Sequence, residues 1–443
     1  MNTPIYNFAK KYAESNSLRL HMPGHKGKSF LGLESFDITE FDGADDLFSP
    51  SGIIKESEEN ASCLFGANTF YSTEGSSLSI RTMLFLCQKY AKEKGVKPLI
   101  LAGRNAHKSF LSACALLDLE VEWIFGSNSY LSCDVDKQTL KNILSTKKDL
   151  PIAVYITTPD YLGNLVNVKG LADVCKEFGI LLIVDNAHGA YLKFLKESKH
   201  PIDLGADMCS DSAHKTLPAL TGASYLHISK NAPRFFKDNV KKAMALFAST
   251  SPSYVILQSL DLLNAYLYNG YNENLAKLVL HIDSLKSSLN SHGYSLVGLE
   301  PLKICINVKP FGYDGFEFND LLKKHGVFCE FYDSDYVVFM ITTENNKNDL
   351  LKLKNILLSI PKRDCDKPCA PASVRPKKAM NIRDAITAPS EIIPVCHANG
   401  RVLSTVSVSC PPAVPIIASG EIIDEKIIEL FNYYNIKEIE VVK

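Results

Sequence analysis

The stretch IAVYITTPDYLGNLVNVKGLADVCKEFGILLIVDNAHGAY, residues 152–191, decides the fold class. IAVYIT (152–157) is an apolar run of strand length. Leu171, Cys175 and Phe178 then fall at i, i+4 and i+7, one face of a helix, and Gly179 stops it. ILLIV (180–184) has the length of a second buried strand. Strand, helix and strand within about 35 residues make a βαβ unit of a parallel sheet. That second strand runs into Asp185. In open parallel sheets ligands bind beyond the carboxyl ends of the strands, so a carboxylate there is placed to meet a cationic ligand group. His188 follows three residues on, and Gly189 keeps the turn tight. Read alone, Asp185 is more simply a turn cap.

Outward from this unit the chain is ordinary and globular. It has 443 residues, 46% hydrophobic and 22% charged, which argues against wholesale disorder, collagen or coiled coil. A length of this size suits two or three domains, or one large and one smaller. The net charge is −1, with no basic excess to hold a nucleic-acid backbone, so any anionic ligand needs a local site. The start lacks a signal-peptide core, and no run reaches the roughly 18 apolar residues of a membrane helix. Twelve cysteines without an export signal read as free thiols in a reducing cytoplasm. Cys365, Cys369, Cys396 and His397 fit no common finger or ribbon spacing, so no metal is expected.

There is no internal repeat and no low-complexity tract. PKRDCDKPCAPASVRPKKAM (361–380), with four prolines and six Lys/Arg, is a solvated connection. Strand-like ICINV (304–308) and YVVFMIT (336–342) alternate with helix-like FNDLLKKHG and NDLLKLKNILLSI. The expected division is an N-terminal arm (1–50), a large α/β domain (51–295) and a smaller C-terminal α/β domain (296–443).

Two further stretches carry chemistry. In GADMCSDSAHKTLPALTG, Lys215 sits in a polar run between apolar segments, with Ser212 and His214 as donors for an oxyanion. A lone lysine is usually a solvated charge; one set into an apolar scaffold can be deprotonated and act as a nucleophile toward an aldehyde. In YSTEGSSLSIRTMLFLC (71–87), Ile80, Met83, Leu84 and Cys87 mark a helix face. Gly75, Ser76 and Ser77 then lie at its N-terminus, where free N–H groups and the dipole favour phosphate; plain serine capping accounts for them equally well. A phosphate cradle, a strand-end Asp and a downstream reactive Lys are together what pyridoxal phosphate requires.

Seven stretches then resemble one family. LRLHMPGHKGK (18–28), FDGADDLFSPSGIIKESEENASCLFGA (41–67), GRNAHKSFLSA (103–113), VDNAHGAY (184–191), DSAHKTLPALTG (211–222), STSPSYVILQSLD (249–261) and CPPAVPIIASGE (410–421) resemble the ornithine/lysine/arginine decarboxylases of pyridoxal-phosphate fold type I. The resemblance implies an aspartate-aminotransferase-like large domain with a mixed, mostly parallel sheet, and the short form without a receiver-like N-terminal domain. It implies that Lys215 takes the cofactor aldehyde and Asp185 pairs with the ring nitrogen. His107 stacks on the ring as a candidate proton donor, and His188 lies under or beside it. Gly75, Ser76, Ser77, Ser212 and His214 hold the phosphate, and Thr250 and Ser251 reach the phosphate of a second copy in a homodimer with shared sites. His21, His25 and Lys26 belong to an arm motif near the site or the dimer interface.

The implied reaction decarboxylates lysine, ornithine or arginine to a diamine or agmatine. An aminotransferase or other lyase of the same fold shares these cofactor contacts, and a cofactor-binding regulator without turnover is a rival of another class. Glu421 is the expected carboxylate for the substrate's distal cation, with a surface acid at the start of the helix at 424–433 as the plainer reading; Asp45 and Asp46 are the alternatives. The chain departs from the family at Asn186, where an acid is common, at Asp160, where a small hydroxyl residue is common, and at Pro-Pro-Ala 411–413.

Overall fold

The computed structural model describes residues 1–126, 130–364, 370–371, 374–406 and 414–443. Cys365, Cys369 and Pro-Pro-Ala 411–413 lie outside them. In chain order the elements are α1 (Pro4–Ala13), α2 (Ile53–Phe65), β1 (Asn68–Ser72), α3 (Gly75–Lys94), β2 (Leu99–Gly103), α4 (Lys108–Leu117), β3 (Glu120–Ile124), α5 (Lys137–Ser145), β4 (Ala153–Thr157), α6 (Val168–Phe178) and β5 (Leu181–Asp185). Next come β6 (Met208–Asp211), α7 (Ala213–Thr216), β7 (Ser224–Ile228), α8 (Arg234–Ala245), α9 (Tyr254–Tyr268) and α10 (Tyr271–His292). The remainder is β8 (Ser295–Val297), β9 (Lys303–Asn307), α11 (Gly315–Lys324), β10 (Phe331–Tyr332), β11 (Tyr336–Met340), α12 (Lys347–Ser359), α13 (Ile382–Thr387), β12 (Ser390–Pro394), α14 (Glu425–Tyr433) and β13 (Glu438–Val442).

The chain divides into two compact units, Met1–Val96 with Cys175–Ala276 and Lys97–Val174 with Lys277–Lys443. The sheet strands are mixed and mostly parallel, in the order β1-β7-β6-β5 in the first unit and β4-β2-β3 in the second. The β2–β3, β2–β4 and β5–β6 pairs are parallel, and β7 is antiparallel to both β1 and β6. β2 and β5 are buried along their whole length. Helices on both faces leave such strands no solvated side, so they read as continuous apolar runs.

In the first unit α1 is anchored through one acid. Asp261 Oδ2 accepts the Tyr6 amide at 3.0 Å, and Oδ1 accepts the Ser57 hydroxyl at 2.5 Å. Burial, opposed by these bonds, pushes the Asp261 carboxyl up to about 6. In the second unit, strands in the order β10-β11-β9-β8 form a four-stranded antiparallel sheet, and β12 pairs with β13. Leu403, Ile417, Ile423, Ile427 and Phe431 are among the residues of its apolar core. The nine described cysteines are free. Among the described residues no helix is long and apolar enough to cross a membrane.

Candidate active site

In the first unit the carboxyl end of β5 and the loop after β6 converge. Asp185 ends β5 and is 2% exposed. Its Oδ1 accepts the Ala187 amide at 3.2 Å, so the turn-cap role is real as well. The turn is closed by Gly189 N–H donating to the Asn186 carbonyl at 2.8 Å. A Cβ on Gly189 would lie 2.0 Å from Asn186 Oδ1, so a side chain there would have to push the Asn186 amide aside. The same turn delivers His188, whose Nε2 lies 2.9 Å from Lys215 Nζ. Lys215 stands on the single turn of α7, with Ser212 at its N-cap. An imidazole and an amine at this distance share a proton, and either can pass it on.

Oxyanion donors gather in the same unit. Ser212 Oγ is buried and hydrogen-bonds to nothing among the described residues. His214 Nδ1 lies 2.9 Å from the Ala223 carbonyl, which makes Nδ1 the protonated nitrogen. The N-cap of α3 is Glu74, not a serine, and its side chain makes no capping bond. Glu74 Oε1 instead accepts the Ser249 amide at 2.7 Å. Ser72 Oγ accepts the Glu74 amide at 3.2 Å just before the helix, and the dipole at the helix start favours an anion. Gly222, at φ +97°, lies with its missing Cβ 2.9 Å from the Thr73 carbonyl, and its own carbonyl accepts the Gly75 amide at 2.8 Å. That close approach ties the loop after Lys215 to the cradle. Thr250 and Ser251 are exposed on the turn tethered by Glu74.

Behind the site lies a network that sequence reading missed. Asn186 Nδ2 donates to Asp211 Oδ1 at 2.7 Å. Asp211 Oδ2 meets His200 Nε2 at 3.0 Å and His227 Nε2 at 3.2 Å, all three side chains fully buried. Burial opposes ionisation, but the attraction and hydrogen bonds of the two histidines hold the Asp211 carboxyl far below the usual range. Where an acid is common in the family this chain has Asn186, and a carboxylate stands on the adjacent strand at 211. An acid at both places would set two carboxylates against each other.

The other expected residues belong to the second unit. His107 is the N-cap of α4, where its Nδ1 accepts the Ser109 amide at 3.1 Å. That fixes the ring proton on Nε2, the donor the proposed role requires. Glu421 is 3% exposed, so it is not the surface acid opening α14; Asp424 caps that helix, accepting the Ile427 amide. Glu421 was expected to meet a substrate cation; the cation it meets here is Arg104, whose Nη2 lies 2.9 Å from Oε2. The Ala418 amide donates to the same oxygen at 2.7 Å. Arg104 also donates to the Pro415 and Ile416 carbonyls at 3.2 Å. Asp160 accepts the Asn164 amide at 2.9 Å and Nδ2 of the same residue at 2.9 Å; burial pushes its carboxyl up. In the arm, His25 Nε2 lies 3.1 Å from Asp37, and Lys26 donates to the His21 carbonyl at 2.6 Å. Asp45 accepts backbone amides of Asp46, Ser51, Gly52 and Ile54 and so fixes the entry to α2.

A strand-end carboxylate, a lysine beside a histidine, a buried serine hydroxyl without a partner among the described residues and the start of a long helix fit pyridoxal phosphate. The fold is that of the pyridoxal-phosphate enzymes of fold type I. Residues 3–297 match the Orn/Lys/Arg decarboxylase major domain, and the chain belongs to that family of pyridoxal-phosphate-dependent decarboxylases. It is 30% identical to the uncharacterized protein YaaO of Bacillus subtilis (strain 168), over 97% of this chain and 93% of that one. The arginine decarboxylase of the same organism is 28% identical over 96% of this chain and 92% of its own length. Among solved structures, lysine decarboxylase A from Pseudomonas aeruginosa superposes with a TM-score of 0.81 at 16% identity, covering 99% of this chain and 80% of that one.

Proposed function

We propose that this enzyme decarboxylates a basic amino acid, with arginine first and lysine and ornithine as the alternatives. Relatives spanning more than 90% of both chains and named arginine decarboxylase support that order. The observation that carries the reading is the Lys215–His188 contact at the end of the strand that presents Asp185. In this reading Lys215 binds the cofactor aldehyde, Asp185 faces the ring nitrogen, and Ser212, His214 and the α3 start hold the phosphate. Bound pyridoxal phosphate supplies an electron sink for the pair left at the α-carbon when carbon dioxide departs. Lys215 Nζ and His188 Nε2 exchange the proton that frees the amine, and the Lys215 amine then returns one to the α-carbon. The product is agmatine or a diamine.

A homodimer belongs to the same proposal, with Thr250 and Ser251 contributing to a second copy's phosphate site. Leu18, Leu20, Phe30 and Leu31, each more than 80% exposed, give the arm apolar surface of the kind a second copy covers.

The direct test is carbon dioxide release from arginine, lysine and ornithine. Release from none of the three would overturn the reading. Borohydride reduction should leave the cofactor on the peptide carrying Lys215, and label on another lysine would reassign the nucleophile. Asp185→Asn should lower turnover by roughly two to four powers of ten with the fold retained. Mixed dimers of Lys215→Ala with Thr250→Ala/Ser251→Ala chains should regain activity if the sites are shared.

A further inference from the structure

A cavity of about 430 Å³ lies wholly inside the second unit. That is the size of a small-molecule site, and its walls have the usual make-up of apolar and aromatic groups with few polar ones. Phe125, Tyr130, Tyr336 and Tyr434 line it, together with one carboxylate, Asp335. Asp335 is 6% exposed. Its Oδ1 accepts the Tyr433 hydroxyl at 2.5 Å. Its Oδ2 is buried and hydrogen-bonds to nothing among the described residues. A buried carboxylate oxygen without a partner is costly, and a cation that reaches it gains a charge-assisted bond.

The local charges point the same way. Lys309 lines the cavity and stands near three acids: Asp314, 3.4 Å from its Nζ, then Asp333 and Asp335. Asp333 Oδ1 is taken by the Asp335 and Tyr336 amides at 2.8 Å, and its Oδ2 also has no partner among the described residues. Burial, only partly offset by these bonds and by Lys309, pushes Asp333 up to about 7 and raises Asp335 too. Arg104 touches the cavity; its Nη atoms go to Glu421 and two carbonyls, and its buried Nε has no partner among the described residues. Among the described residues one lysine thus stands against three acids.

We propose that this cavity binds a small organic cation, a primary amine or guanidinium on an aliphatic stem, with Asp335 as its counter-ion. The tyrosine rings enclose the stem, and their faces favour the cationic head. Two sources offer that chemistry: the side-chain end of the basic substrate, or a free amine binding as an effector.

The test uses the holoenzyme and two probes, agmatine and cadaverine, which have no carboxylate to lose. Calorimetry should show saturable binding of at least one, weakened at least tenfold by Asp335→Asn. Val374→Trp, which fills the cavity without altering a charge, should weaken it as well and stands in if Asp335→Asn does not fold. If the cation is the substrate's own, Asp335→Asn raises KM for the basic amino acid by a similar factor. If it is an effector, KM stays and only amine binding falls. Amine affinity and KM both unchanged in Asp335→Asn and Val374→Trp would overturn the proposal. Probe binding needs no turnover, so its outcome is separable from which amino acid is decarboxylated.

Discussion

Two sets of buried acids behave in opposite ways. In the first unit Asp211 is surrounded by His200, His227 and the Asn186 amide, and stays ionised at full burial. In the second unit Asp333 and Asp335 each keep one carboxylate oxygen without a partner among the described residues, and both are pushed toward the neutral form. Burial is alike in the two places. What differs is the supply of donors and counter-charge, which decides whether a buried acid fixes structure or awaits a cation.

Removing the matched acid should have the largest effect. Asp211→Ala leaves two histidines and an amide facing a void, and is expected to lower the unfolding free energy by about 3–5 kcal/mol in a denaturant titration. A loss below about 1 kcal/mol would show that the network repacks without its carboxylate and would erase the contrast.

Asn186→Asp should come next. It exchanges an amide donor for a carboxylate 2.7 Å from Asp211, so one of the two acids must take up a proton in the folded state. A folded pKa raised above the unfolded one destabilises above that folded pKa and costs nothing below the unfolded pKa. The variant should therefore lose about 2–4 kcal/mol at pH 7, with the gap to the parent closing as pH falls toward 4. A gap independent of pH would mean the two side chains separate.

The unmatched set gives the smallest effect. Asp333 titrates near 7 when folded against an ordinary value of 3.8, so between these the folded chain holds the extra proton. The parent then loses stability as pH rises through that window, by about 1–3 kcal/mol from this group. Asp333→Asn keeps an acceptor for the Asp335 and Tyr336 amides and should flatten the slope, read from thermal midpoints at pH 4.5 and 7.5. Equal slopes in the two proteins would mean that Asp333 is ionised throughout.

Much of the frame was legible before the structure. The βαβ unit at 152–185, the helix beginning at GSS and the strands at 304–308 and 336–342 all formed, because side-chain periodicity records which face is buried. Lys215 and His188 were legible as types in a pattern, and their 2.9 Å contact is the geometry those types allow. Glu421 shows the limit. Its acidic type suggested a substrate cation, but its neighbours in sequence carry no sign of Arg104, 317 residues away. Gly222 was legible only as part of PALTG; its function in holding the loop against the cradle rests on an approach to Thr73 that no spacing encodes.

The sequence by itself determined the order of strands and helices, the strand-end place of Asp185, and the setting of Lys215 between apolar segments. Those depend on local patterning, which a chain carries residue by residue. Only the tertiary structure decided where the polar groups find their partners: Asn186 on Asp211, two histidines on one carboxylate, Glu421 on Arg104, and Asp335 lining a cavity with one oxygen unmet. A buried polar group is stabilised or strained by whatever the fold brings within hydrogen-bond reach, and that reach joins positions far apart along the chain.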